Sequence, residues 1–195
     1  MKKSESMSTQ LGHIRIIGGR WRSRKLAFPV VEGLRPSPDA VRETLFNWLQ
    51  SDLPESRCLD LYAGSGAFGF EAASRGATTV VMVEANQVAA RQLKKNCDIL
   101  VAENNITIVN SRAQHFIGHC TEQFDLVFLD PPFESVDLAR ICGLISKSSI
   151  LAPGAMVYIE SPKISVPLPI PSTWHIIRQK TRGLVRSTLI NTEYE

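Results

Sequence analysis

Two stretches carry the side chains best suited to chemistry. In the first, Cys58-Leu59-Asp60-Leu61-Tyr62-Ala63-Gly64-Ser65-Gly66-Ala67-Phe68-Gly69 sets G-x-G-x-x-G between a strand-like run and a helical pattern. Glu84 follows twenty residues after Gly64, at the end of the next apolar run. Both features fit the fingerprint of an adenosine-cofactor site. The glycines permit a tight turn and let a ligand touch the backbone, and the acid can accept ribose hydroxyl hydrogens. The spacing alone leaves NAD and S-adenosylmethionine open. Asp60 favours the second, because a carboxylate aimed into the loop repels a pyrophosphate and suits a methionyl ammonium.

The second stretch is Phe124-Asp125-Leu126-Val127-Phe128-Leu129-Asp130-Pro131-Pro132-Phe133. A buried strand ending here opens into a loop at the sheet's carboxyl edge, where open α/β sheets bind ligands. Two prolines remove two N–H donors and stiffen the backbone. Acceptors remain, with an aromatic ring beside them, so the site suits a planar amino group. Asp130 and the Pro131 carbonyl can take its two hydrogens while Phe133 stacks on the ring. Held that way, the nitrogen lone pair leaves conjugation and points at a methyl donor, which is orientation and electrostatics rather than base activation.

These loops need a parallel sheet behind them, and the pattern supplies one. Strands are expected at 57–61, 79–84, 106–109, 124–129 and 155–160, with helices at 67–75, 87–102, 112–119 and 136–146 between them. That alternation makes the chain an α/β protein with a mostly parallel sheet. Stretches 174–179 and 184–190 around Gly183 read as a terminal antiparallel pair. Ahead of the sheet, residues 1–12 read as a flexible tail. A basic hairpin and helix extension follows at 13–55, with Gly18-Gly19 as the hairpin turn and Ser37 as the N-cap of a helix running to about residue 50. The sheet domain is expected over 56–195.

With 195 residues, 44% hydrophobic and 21% charged, the composition is that of one ordinary globular domain. Polar first residues, no long apolar run and four scattered cysteines point to a cytoplasmic protein that spans no membrane and has neither a disulfide framework nor a metal site. His115 and His119 have the i, i+4 spacing of two metal ligands, but no third stands at a motif spacing. The net charge of +3 is uneven: residues 1–35 carry +6 and the rest −3. The dense cluster is Arg15, Arg20, Arg22, Arg24 and Lys25, with Trp21 inside it, a composition that favours nucleic acid. A second basic stretch, 161–192, has no acid at all.

Asp60-x-x-x-Gly64-Ser65-Gly66 paired with Asp130-Pro131-Pro132-Phe133 resembles the amino-directed, S-adenosylmethionine-dependent methyltransferases. The fuller pattern is narrower. Arg15-Ile16-Ile17-Gly18-Gly19-Arg20-Trp21-Arg22, Leu34-Arg35-Pro36-Ser37 and Val41-Arg42-Glu43-Thr44-Leu45-Phe46-Asn47-Trp48-Leu49 resemble the bacterial 16S ribosomal RNA guanine-N2 methyltransferases of the RsmD type. The resemblance runs from about residue 13 to 190 and loosens beyond Pro162. It implies a Rossmann-like methyltransferase fold with a small N-terminal extension, acting on the exocyclic amine of one guanine in 16S rRNA. The catalytic residues are then Asp130, Pro131 and Phe133. Asp60, Gly64, Ser65, Gly66 and Glu84 hold the cofactor, with Ser111 and Arg112 beside the adenine. Arg35 and Arg42 join the basic cluster against RNA. The expected partner is 16S rRNA, met within a small-subunit particle by a monomeric enzyme. Three rivals are weaker. A DNA adenine-N6 methyltransferase usually carries a target-recognition domain, for which 195 residues leave no room. Methylation of a protein glutamine does not explain the basic segment. A non-catalytic RNA-binding assembly factor does not need both motifs intact.

Overall fold

The computed structural model describes residues 10–31, 34, 36–132, 137–164 and 167–193. In chain order the elements are β1 (Leu11–Arg15), β2 (Lys25–Pro29), α1 (Asp39–Trp48), β3 (Arg57–Asp60), α2 (Ala67–Ser74), β4 (Thr79–Glu84) and α3 (Gln87–Leu100). Then come β5 (Ile106–Asn110), α4 (Ala113–His119), β6 (Phe124–Leu129), α5 (Leu138–Lys147), β7 (Leu151–Pro162), β8 (His175–Arg182) and β9 (Val185–Asn191). β1 and β2 form a separate antiparallel pair. The other seven strands make one sheet in the order β5-β4-β3-β6-β7-β9-β8. Its first five strands are parallel, and β9 runs antiparallel to both its neighbours.

After β3 the chain builds outward through β4 and β5, then returns to the other side of β3 for β6 and β7. The loops leaving β3 and β6 therefore part at the carboxyl edge, which opens a crevice there. Helices cover both faces, so the central strands are buried on both sides and read as continuous apolar runs. On one face α1, α2, α3 and the hairpin pack over the sheet residues Phe128 and Tyr158; Phe68 of α2 stacks on Phe128 at 5.5 Å and meets Tyr158 edge-on at 5.5 Å. On the other face α4 and α5 pack over Val127, Val157 and Ile159.

The extension differs from expectation in two ways. Gly18-Gly19 is not a two-residue hairpin turn: β1 and β2 are joined by a longer loop whose glycines lie against the end of α2. A Cβ on Gly19 would sit 1.8 Å from the Ser74 carbonyl oxygen, and Gly19 has φ +73°. The Ile17 and Gly18 N–H groups instead donate to the wholly buried Glu71 carboxylate, at 2.8 Å each. Glu71 also takes the Arg75 Nε at 2.6 Å and the Arg42 Nη1 at 3.5 Å. Secondly, α1 begins one residue beyond Pro38, with no side-chain cap. The Ser37 hydroxyl is committed elsewhere.

Candidate active site

Asp60 ends β3 and is 1% exposed. Its Oδ2 accepts the Gly69 N–H at 3.1 Å, while Oδ1 has no hydrogen-bond partner among the described residues. Burial pushes its carboxyl up to about 7, and the carboxylates of Asp130 and Glu84 add to that, against the backbone N–H groups of Gly69 and Tyr62, which pull it down. A buried acceptor left open in this way lacks a donor. Gly64 and Gly66 both take positive φ, +51° and +80°. A Cβ at Gly64 would meet nothing closer than 3.7 Å, so space is open above the loop. At Gly66 it would strike the Phe70 ring at 2.5 Å, so this glycine serves packing as well as the turn. Ser65 is buried between them. Glu84, at the end of β4, accepts the Gly64 N–H at 2.8 Å and the Asn86 N–H at 2.6 Å, and so ties the loop to the neighbouring strand. Ser111 follows β5 and donates its N–H to the Glu84 carbonyl at 3.1 Å, and Arg112 beside it is exposed.

These features fit S-adenosylmethionine. The open Asp60 Oδ1 suits the methionyl ammonium, the floor above Gly64 admits a chain against the backbone, and Glu84 keeps lone pairs for ribose hydroxyls.

Across the switch point, Asp130 follows β6 and Pro131 is buried behind it. Phe133 lies outside the described residues, as does Arg35. Ser37 Oγ lies 3.0 Å from Asp130 Oδ2 and 3.1 Å from Glu160 Oε2. A hydroxyl has one hydrogen, so it cannot donate to both. Burial raises both carboxyls and the Asp130 carboxylate drives Glu160 higher, while Ser37 pulls both down and Tyr158 pulls Glu160 down as well. The shared proton therefore rests on Glu160, which donates to Ser37, which donates to the ionised Asp130. Behind Glu160, the Tyr158 hydroxyl donates to Oε1 at 2.8 Å and lies 3.0 Å from Ser187 Oγ. Every donor in the chain points towards Asp130.

Residues 14–191 match the family described as "Conserved hypothetical protein 95". The chain is 42% identical to the ribosomal RNA small subunit methyltransferase D of Haemophilus influenzae, over 95% of this chain and 96% of that protein. It is 43% identical to the protein of the same name from Escherichia coli, over 93% and 91%. The chain belongs to the ribosomal RNA small subunit methyltransferase D family. A solved putative methyltransferase from Escherichia coli superposes with a TM-score of 0.82 at 41% identity, covering 94% of this chain and all of that one. The α/β methyltransferase fold expected from the sequence, with its parallel sheet and terminal antiparallel pair, is the fold observed.

The carboxyl edge thus brings together Asp60, Gly64, Ser65, Gly66, Glu84, Ser111, Arg112, Asp130 and Pro131. The basic cluster is not gathered there. Arg42 is 1% exposed and spends its guanidinium on Asp39 at 2.6 Å, the Arg15 carbonyl at 2.9 Å, the Ser37 carbonyl at 3.3 Å and Glu71. It braces the extension and offers nothing to RNA. Trp21 is buried too, its ring covered by the Arg20 guanidinium at 4.0 Å, so it presents no stacking face. Arg15 pairs with Asp39 at 3.0 Å. Arg20 bonds the Asn105 side chain, just before β5, and Arg24 the Ile99 carbonyl, in the last turn of α3. Both therefore lie at the amino edge, about a strand length or ~20 Å from Asp130. Arg22 and Lys25 are exposed. His115 and His119 stack at 4.3 Å, and no group of three or more metal-binding side chains occurs among the described residues.

Ser37, Tyr158 and Glu160 are site residues that sequence reasoning missed. The available signal was an acid at the carboxyl end of an otherwise apolar strand. Glu160→Gln isolates the role of the shared proton. Its amide keeps a donor for Ser37 at every pH, and its carbonyl still accepts from Tyr158. Glu160 is raised from 4.5, so the wild type loses stability as pH rises from there through the folded-state value; the Gln variant has no such slope. Denaturation midpoints of the variant should therefore draw ahead of wild type as pH rises. The fall in methyl-transfer rate that follows Glu160 ionisation should shift or vanish. An alkaline limb identical in both proteins would mean that Asp130 does not depend on this proton.

Proposed function

We propose that this chain transfers a methyl group from S-adenosylmethionine to the exocyclic N2 of one guanine in 16S rRNA, presented by a small-subunit particle to a monomeric enzyme. The observation that carries this reading is Asp130, held as a carboxylate by Ser37, beside the donor-free Pro131-Pro132 backbone and across the crevice from the open oxygen of Asp60. The names of the relatives support an rRNA substrate.

When bound, the cofactor supplies an electrophilic methyl on a sulfonium. The chain's own residues do the rest. The Asp130 carboxylate and the Pro131 carbonyl accept the two amine hydrogens and turn the lone pair out of the purine plane. As the nitrogen gains its new bond to carbon it becomes acidic and sheds one proton. Asp130 takes that proton, and a carboxyl raised by burial is a better acceptor than an ordinary one. Phe133 is the partner for the ring face. The target base must leave its stack to reach Asp130, which favours a loop guanine over one inside a helix.

Mass spectrometry of 16S rRNA nucleosides tests this. Cells lacking the protein should lose one N2-methylguanosine, restored by the wild-type gene and not by Asp130→Ala. An unchanged guanine inventory, or loss of a methylated adenine, would overturn the reading.

A further inference from the structure

We propose that the outer strand β8 is the surface that grips the phosphate backbone of the substrate RNA. The proposal rests on the reading of the chain as an rRNA methyltransferase and adds to it the place where the polyanion lies. Strand register links the two. Tyr158, Glu160 and Pro162 of β7 pair with Leu189, Ser187 and Val185 of β9, and those pair in turn with Arg178, Lys180 and Arg182 of β8. Three cations thus continue the rows that contain the Ser37–Glu160 relay, two strands over, or roughly 9.5 Å along the sheet.

Directly paired residues share a face of the sheet. Leu189 and Tyr158 belong to the core beneath α1 and α2, so the cations project on the side where Ser37 meets Asp130. They alternate along one strand, a spacing that an extended nucleotide strand can follow with one cation per phosphate. β8 also runs parallel to β7, which carries Arg182 towards the carboxyl edge, where exposed Lys163 donates its N–H to the Leu184 carbonyl at 2.8 Å.

The strand is an anomaly as ordinary architecture. All its residues from Ile176 to Arg182 are exposed. Arg178, Lys180 and Arg182 make no salt bridge or side-chain hydrogen bond among the described residues, and residues 161–192 contain no acid. One lysine is enough to keep an edge strand from pairing with another chain; three unpaired cations, with Lys180 in the row of Glu160 and the other two in the rows on either side, go further. The hairpin's Arg20 and Arg24, by contrast, are engaged at the far edge of the sheet. A base drawn down to Asp130 leaves its flanking phosphates on the surface beside the crevice, and β8 supplies the unneutralised charge there.

The test is the triple variant Arg178→Gln, Lys180→Gln and Arg182→Gln, whose exposed positions leave the core untouched. Binding of a fluorescent single-stranded RNA oligonucleotide is followed by anisotropy from low to moderate salt. Counterion release gives a slope of about −0.7 per phosphate, so losing three contacts should flatten the slope by about 2 and weaken binding about 50-fold near 0.15 M salt. With undermethylated small-subunit particles, kcat/KM should fall through KM, with kcat and S-adenosylmethionine affinity nearly kept. Wild-type affinity, slope and KM in the triple variant would overturn the proposal, whatever Arg20→Gln with Arg22→Gln and Arg24→Gln does. Failure of the underlying reading looks different: the wild type itself would then methylate no particle, while the anisotropy comparison still judges the strand.

Discussion

Asp130→Ala should lower the rate of methyl transfer by at least about 10²–10³-fold while leaving S-adenosylmethionine affinity within about threefold of wild type. The separation follows from where the two carboxylates stand. Asp60 ends β3 and faces the glycine loop, whereas Asp130 ends β6 on the other side of the switch point and is tied to Ser37. Removing Asp130 takes away the acceptor that orients the amine and the base that receives its proton. It also removes a negative charge that pushes Asp60 up, so cofactor binding below neutral pH should hold or improve slightly. Asp130→Asn is the sharper probe. Its amide oxygen can still accept one amine hydrogen, but it cannot take a proton and it exchanges a charged acceptor for a neutral one. Single-turnover transfer of a labelled methyl should rank wild type above Asn above Ala, with calorimetric cofactor affinities close together. An Asp130→Ala rate within tenfold of wild type would remove Asp130 from the chemistry.

The parts legible in the sequence were those set by local pattern. β4 and β6 begin and end where their apolar runs do, because both are buried on two faces and flanked by turn residues. The glycine loop and Asp130-Pro131-Pro132 could be read because backbone permission and missing donors are properties of residue type alone. Long-range partnerships could not be read. Ser37-Pro38-Asp39 has the composition of a helix cap, yet the Ser37 hydroxyl serves a carboxylate 93 positions away, and Pro38 holds the cap position instead. Trp21 looked like an RNA contact because it stands inside a run of cations where an indole could stack on a base, and Arg42 because it belongs to the motif shared with the family. What buries Arg42 is Glu71, an acid on a helix with no local sign that it would collect two backbone N–H groups and two guanidinium groups, while Trp21 is held through its backbone N–H on Ser74 Oγ at 2.9 Å and covered by Arg20. Glu160 was hidden for the same reason, since Ser37 reaches it from the extension and its other partner, Tyr158, bonds onward to Ser187 of β9. The extension thus reaches into the candidate site: it carries the hydroxyl that lies between the Asp130 and Glu160 carboxyls.

Asp60→Asn should split stability from function. Without cofactor the wild type buries a carboxyl whose pKa rises from 3.8 to about 7 on folding. A raised acid binds protons more tightly folded than unfolded, so stability falls as pH climbs from about 4 to 7 and stays reduced above that. A rise of that size corresponds to at most about 4 kcal/mol. Asparagine escapes this cost, because its amide oxygen can still accept the Gly69 N–H and it never ionises. The ligand-free variant should therefore unfold at higher denaturant than wild type at pH 8, with the gap closing towards pH 4. Cofactor reverses the order. The asparagine turns an N–H donor towards the space the methionyl ammonium needs and loses the charge that attracts it, which should weaken binding about 100-fold, or ~2.7 kcal/mol. Saturating S-adenosylmethionine then stabilises the wild type by mass action and leaves the variant nearly unmoved. Wild-type affinity for the cofactor should also rise with pH up to neutrality, because binding selects the ionised Asp60, and that dependence should vanish in the variant. A ligand-free Asp60→Asn protein less stable than wild type at pH 8, or one that binds cofactor normally, would mean that the open oxygen of Asp60 is not the ammonium site.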